Sequence, residues 1–84
     1  MNKIALVKIS EQKDERQNFA FDPQTGDSYQ LNPTAVDMLK LLKKELQDQE
    51  IVTILSKKYK IPTDELKVDL MEFKMTLKIF GLLL

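Results

Sequence analysis

The fold is decided by residues 18–33, which read NFAFDPQTGDSYQLNP. Asn18 to Asp22 and Asp27 to Leu31 alternate apolar and polar residues with a period of two, which is typical of β-strands. Between them, Pro23 presets its own φ, and Gly26 accepts the positive φ that closes a tight turn. The stretch therefore predicts a β-hairpin.

The same alternation predicts the apolar face of each strand. Phe19 and Phe21 share one face of the first strand, and Tyr29 and Leu31 share one face of the second. Upstream, Ile4 to Ile9 is apolar and β-branched enough to form another strand, and the charged stretch that follows it is expected to be a loop. We therefore expect a three-stranded antiparallel meander.

Downstream of the hairpin, apolar residues recur at helical spacing, and capping signals divide this part of the chain into three helices. The expected helices run from Asn32-Pro33 to about Leu46, from an Asp48 cap to about Tyr59, and from a Thr63 cap to Gly81. Three strands followed by three helices make an α+β fold, and we expect one domain over residues 1–84.

The helical periodicity also predicts the core. The first two helices should bury Val36, Leu39, Leu42 and Leu46, then Ile51, Ile54 and Leu55. After Gly81, Leu82 should fold back on Leu77, as in a Schellman-type helix stop.

The third helix carries two apolar stripes on opposite sides, where an ordinary amphipathic helix has one. The first stripe, expected to be core, is Leu66, Leu70, Phe73, Leu77 and Phe80, and the second is Val68, Met71, Met75 and Ile79. Lysines 67, 74 and 78 lie on one flank, and Asp69, Glu72 and Thr76 lie on the other. The second stripe either meets the sheet or lines a groove for a peptide that mixes apolar and acidic residues.

Composition restricts the function. The chain has no cysteine and no histidine, so cysteine nucleophiles, thiolate metal sites and the usual general base are absent. We expect no metal site and no cofactor. The 13 basic and 13 acidic residues cancel, which argues against strong non-specific binding to nucleic acid. No signal peptide or membrane span is predicted, and the expected location is the cytoplasm.

The order and spacing of these motifs resemble one known family. The matching residues run from Asp22 through Gly26, Tyr29 and Leu31 to Ala35, then include Leu39, Leu42, Ile54, Leu55 and Tyr59, and end with Asp69 to Phe73, Leu77 and Gly81 to Leu83. In this pattern the chain resembles the PqqD family from about Ile4 onward.

The resemblance implies a non-catalytic peptide chaperone with a winged-helix-like arrangement of three strands and three helices. Such domains bind the leader of a ribosomally made precursor peptide as an added strand, between the third strand and the third helix. They present it to a modifying enzyme, often a radical S-adenosylmethionine enzyme, which would hold the iron–sulfur cluster. Pyrroloquinoline quinone synthesis itself is not implied.

Carried over to this sequence, the resemblance gives a candidate peptide site in two halves. The strand half is Ser28, Tyr29, Gln30 and Leu31, and the helix half is Lys67, Met71, Lys74, Met75 and Lys78.

Two other functions remain open. The second and third helices resemble a helix-turn-helix, but Asp64, Glu65 and Asp69 would then face DNA phosphates, and no wing follows the third helix. A plain dimerisation module would use the second apolar stripe of the third helix or the edge strand to bind a second copy.

An enzyme is disfavoured. Carboxylate pairs such as Asp14 with Glu15 are better explained as charges on a loop than as a catalytic acid and base.

Overall fold

The computed structural model describes residues 4–11 and 18–83. Three antiparallel strands, in the order β1-β2-β3, precede three helices. Their bounds are β1 Lys8–Ser10, β2 Asn18–Phe21, β3 Ser28–Leu31, α1 Pro33–Lys43, α2 Asp48–Tyr59 and α3 Thr63–Ile79. The predicted α+β architecture is confirmed. Most of the charged stretch predicted as a loop, including Asp14 and Glu15, lies outside the described residues.

The turn between β2 and β3 is closed as predicted. Gly26 has a φ of +82°, and its N–H donates to the Asp22 carbonyl at 2.8 Å. The buried Asp22 carboxylate accepts a hydrogen bond from the Gln24 N–H at 2.9 Å. Turn geometry therefore fixes the register in which β3 returns along β2.

Phe19 and Phe21 share one face of β2, as predicted, but this face is not the one that meets the helices. Asn18 and Ala20 are the buried residues of β2, whereas Phe21 is exposed. The register pairs Ala20 with Tyr29, so these two side chains share the face that meets the helices. Because the side chains of a strand alternate, Phe19 and Phe21 must then lie on the outer face, where Phe19 is opposite Gln30.

The first predicted strand is wrong in its N-terminal part. Ile4–Leu6 form a single 3₁₀ turn, and only Lys8–Ser10 pair with β2. The turn places Ile4 and Val7 on the same side, where both are buried, and it leaves Leu6 exposed. The carbonyl of Val7 accepts a hydrogen bond from the Lys43 ammonium group, which ties this turn to α1.

Helix α1 begins as predicted, with the Asn32 side chain accepting from the Ala35 N–H at 2.8 Å, but it ends at Lys43 and not near Leu46. A Schellman motif stops it, in which the Leu46 N–H donates to the Leu41 carbonyl. Glu45 occupies the left-handed position with a φ of +61°. Glycine is the usual residue at this position, so a glutamate there does not indicate a helix stop.

The other two helix starts are shifted by one residue from the predicted caps. Gln47 precedes α2 and its N–H donates to the Glu50 carboxylate at 3.1 Å, so Asp48 is already helical. Pro62 occupies the capping position of α3, and Thr63 is its first helical residue. In α2, the predicted burial of Ile54 is wrong, because this side chain is exposed and Val52 is buried in its place.

The core has two parts, and α3 contributes to both. The first part lies under the sheet and contains Ile4, Val7, Ala20, Leu39, Leu77 and Leu82. The second lies among the helices and contains Met38, Ile51, Val52, Leu55, Leu66 and Leu70. Phe73, which is half-buried, packs against both parts. Helix α3 therefore joins the sheet to the other helices.

The end of α3 is the predicted Schellman stop. Gly81 has a φ of +77°, the Leu82 N–H donates to the Leu77 carbonyl at 2.9 Å, and Leu82 is buried beside Leu77. Phe80, predicted to be core, is instead 44% exposed. It stacks on Tyr29 with the ring centroids 4.3 Å apart, so it contacts β3 from the outside.

Asp37 connects α1 to the end of α2. Its carboxylate accepts hydrogen bonds from the Lys58 ammonium group, at 2.8 Å, and from the Tyr59 hydroxyl. Burial by itself raises the pKa of Asp37, but these two hydrogen bonds and the charges of Lys58 and Lys40 outweigh it and lower the pKa below 3.8.

We predict that Leu82→Ala lowers the free energy of unfolding by about 2–4 kcal/mol, because it leaves a cavity at the junction of α3 and the sheet. The matched control is Leu6→Ala, which removes the same atoms from an exposed position and should change stability by less than about 1 kcal/mol. Urea unfolding followed by circular dichroism measures both. Equal losses would contradict the packing described here.

We predict that Asp37→Asn destabilises the protein by about 1 kcal/mol at neutral pH, because a carboxylate accepts these hydrogen bonds more strongly than an amide. Because the pKa of Asp37 is lower in the folded protein than in the unfolded chain, the ionised carboxylate stabilises the fold above pH 3.8. This contribution to the free energy of unfolding is lost as the pH falls through the pKa of Asp37 in the folded protein. The difference between wild type and variant should therefore shrink in acid. A difference that stays constant from neutral pH to pH about 2 would contradict this assignment.

Candidate functional site

The outer edge of β3 is the first component of the site. Strand β3 pairs with β2 along one edge, and no strand in the described ranges pairs with its other edge. In an antiparallel strand, alternate residues direct their backbone N–H and C=O groups away from the existing partner. An additional strand could therefore pair along this edge of β3.

A groove between β3 and α3 lies beside this edge. It contains a cavity of about 180 Å³ between Tyr29 and Leu31 on the strand side and Phe73, Thr76 and Phe80 on the helix side. Leucines 39, 77 and 82 form part of its lining. The groove continues toward the start of α1 along Asp69, Glu72, Phe73 and Thr76. An extended chain at the β3 edge would thus meet an apolar floor.

The stacked rings of Tyr29 and Phe80 stand at one end of the groove. Their planes lie within 19° of each other, and the stack connects β3 directly to the end of α3. Desolvation of the Tyr29 hydroxyl, together with the nearby carboxylates of Asp27 and Asp22, raises the pKa of this tyrosine above 10.0. Tyr29 is therefore a neutral side chain at physiological pH.

The charges around the groove are acidic. Asp69 and Glu72 line its extension, and no lysine or arginine lines either of its two cavities within the described residues. This charge pattern differs from the expectation of a lysine-flanked groove.

The structure does not bring the two halves of the predicted site together. The helix half lines a separate concavity between α2 and α3, with Asp48, Gln49 and Val52 of α2 opposite it. Lys74 pairs there with the Asp48 carboxylate at 3.0 Å. Lys67, Met71, Lys74, Met75 and Lys78 therefore line a different concavity from the one beside β3, and peptide contact by these five residues stays a prediction.

The helix side of the β3 groove was missed by sequence reasoning. The helical pattern predicts Phe73 and Phe80 as core residues and Thr76 as part of a polar flank. The helical wheel separates the two flanks of α3 correctly, but it does not say which flank faces the sheet. That orientation is set by Leu77 and Leu82, which fix the end of the helix under Tyr29 and Leu31.

The second apolar stripe of α3 does not meet the sheet. Val68, Met71, Met75 and Ile79 are each more than half exposed.

The described residues provide no matching site for DNA or for a metal ion. In a DNA-binding helix-turn-helix, the N-terminus of α3 would face the bases, but here it presents exposed Asp64 and Glu65. No helix in residues 4–11 and 18–83 is both long and apolar enough to cross a membrane. The described ranges also contain no group of side chains that could hold a metal ion.

Comparison with known proteins agrees with this fold. A family model described as coenzyme PQQ synthesis protein D (PqqD) matches residues 18–83. No curated protein sequence matches the chain.

Two solved structures are similar to the chain. "TbiB1 in Complex with the TbiA(beta) Leader Peptide" has a TM-score of 0.79 and 22% identity, covering 99% of this chain and 94% of that one. "Lasso peptide synthetase B1 complexed with the leader peptide" has a TM-score of 0.74 and 18% identity, covering 90% and 87%. At these identities, the likeness shows a shared fold.

We predict that Asp27→Asn lowers the pKa of Tyr29 toward 10.0, because it removes one of the negative charges that disfavour the tyrosinate. The pKa of Tyr59, which is raised by burial and by Asp37, should not move and serves as the internal control. Alkaline titration of the tyrosine ring signals by NMR measures both. An unchanged pKa of Tyr29 would show that the charge of Asp27 does not affect this tyrosine.

Proposed function

The chain belongs to the PqqD family, and we propose that it binds the leader segment of a ribosomally made precursor peptide by strand addition to β3. The observation that carries this proposal is the position of β3 at the edge of the described sheet, beside an apolar groove. The similar structures support it, because both are described as complexes with leader peptides.

In this mechanism, the backbone supplies affinity and the groove supplies specificity. N–H and C=O groups of Ser28–Leu31 pair with the leader backbone, and this pairing is independent of the leader sequence. Alternate side chains of an extended leader point to one side, so every second residue faces the groove. Apolar leader residues at that spacing would pack against Leu31, Phe73 and the Tyr29–Phe80 stack.

The proposed role is non-catalytic. The protein holds the leader in an extended form and presents the attached precursor to a modifying enzyme, such as a radical S-adenosylmethionine enzyme in the cytoplasm. Any iron–sulfur cluster and cofactor would belong to that enzyme. Ordering a flexible leader as a strand lowers the conformational freedom that must be lost when the enzyme engages it.

Two adjacent residues of α3 distinguish the β3 groove from the concavity next to α2. Thr76 lines the β3 groove, whereas Met75 lines the other concavity, and both are exposed. We predict that Thr76→Arg weakens leader binding at least about tenfold, because a long charged side chain would occupy an apolar groove. Met75→Arg, the matched control, should change the Kd by less than about threefold.

The measurement is isothermal titration of each variant with a synthetic leader of the precursor peptide encoded beside this gene. Circular dichroism confirms that both variants remain folded. A leader whose affinity falls with Met75→Arg and not with Thr76→Arg would instead support the helix half of the predicted site. Absence of binding to the wild-type protein would contradict the proposed function.

A further inference from the structure

A face of α3 outside the β3 groove is apolar and uncovered. Val68, Met71, Met75 and Ile79 are 54%, 64%, 57% and 79% exposed. They follow one another at spacings of three and four residues, so they form a continuous stripe along the helix. Large contiguous apolar patches on a small soluble domain mark interaction surfaces more often than isolated apolar residues do.

Part of this stripe forms one wall of a trough between α2 and α3. The trough has a volume of about 380 Å³, with Met71 and Met75 on one side and Gln49 and Val52 on the other. A trough between two helices can accept a third helix, because the side chains of that helix can interdigitate with those of both walls. Methionine side chains adapt to such partners because they are unbranched and flexible.

The rim of the trough is basic. Lys67, Lys74 and Lys78 line it. Of these three lysines, only Lys74 forms an ion pair with a described residue, and its partner is Asp48, which also lines the trough. The ammonium groups of Lys67 and Lys78 are thus available to carboxylates of a partner. A second copy that used the same trough would place lysines against lysines, which disfavours self-association there.

The trough and the β3 groove use different flanks of the same helix. Their lining residues do not overlap, and Met75 and Thr76 are neighbours in the chain that serve opposite sides. A leader in the groove would therefore leave the trough open. Both surfaces can be occupied at the same time.

From the apolar stripe, the trough and its basic rim, we propose that this surface binds an acidic amphipathic helix of a partner protein. Apolar side chains of that helix pack on Met71 and Met75, and carboxylates at its flanks pair with Lys67 and Lys78. The inference is independent of leader binding.

The test uses methionine methyl signals as reporters. Met71 and Met75 report on the trough, and the buried Met38 is the internal control. The probes are two designed helical peptides of about 16 residues, or roughly four turns. They share one leucine stripe and differ only in having glutamate or lysine at the flanking positions. The glutamate peptide should shift the Met71 and Met75 methyls and leave Met38 unchanged, with or without saturating leader.

Three results would overturn the proposal. The first is that the glutamate peptide fails to shift the Met71 and Met75 methyl signals more than the lysine peptide does, whether neither peptide shifts them or both shift them equally. A second is a shift with protein concentration alone, which would assign the trough to a second copy. The third is a shift of Met71 and Met75 with leader alone, which would assign the trough to the leader.

Charge reversal provides a second measurement. The double variant Lys67→Glu with Lys78→Glu should weaken binding of the glutamate peptide about tenfold and strengthen binding of the lysine peptide. The matched control is Lys44→Glu with Lys57→Glu, which changes the net charge equally at positions outside the trough lining and should leave the preference for the glutamate peptide intact. Equal effects of the two double variants would refute specific recognition by the rim.

Discussion

Helix α3 is held to the molecule by one narrow line of leucines. Leu66 and Leu70 enter the core among the helices, Leu77 enters the core under the sheet, and Leu82 returns to lie beside Leu77. Because this line covers a small part of the helix circumference, both flanks of α3 remain open. One flank forms the groove with β3, and the other forms the trough with α2. Both candidate surfaces therefore depend on this anchoring.

The hairpin contributes the second requirement, which is a strand in a fixed register at the edge of the sheet that the structure describes. The turn around Gly26 sets that register, and pairing Ala20 with Tyr29 directs Tyr29 toward the helices. A small residue at position 20 lets the sheet lie close to the leucines beneath it. The edge strand, the apolar floor and the end of α3 thus come from one packing arrangement.

Sequence patterns predicted the elements and the order of the fold well, because each element has a local signal. Asn32-Pro33 starts α1, and Gly81 with Leu82 ends α3, as expected. Errors arose where tertiary contacts decide. Phe19 and Phe21 look like a buried face, yet the register with Tyr29 turns them outward. Helical periodicity separates the two flanks of α3, but it does not show which flank faces β3, since that depends on packing. The flank beside β3 is the one with Thr76, and the lysine flank lies beside α2.

The central claim is that the edge of β3 accepts an additional strand, and intermolecular nuclear Overhauser effects test it most directly. Labelled protein with unlabelled leader should show cross-strand contacts from the leader backbone to Ser28–Leu31, with leader side chains contacting the Phe73 ring. Contacts confined to the Met71 and Met75 methyls, with none along β3, would contradict the account.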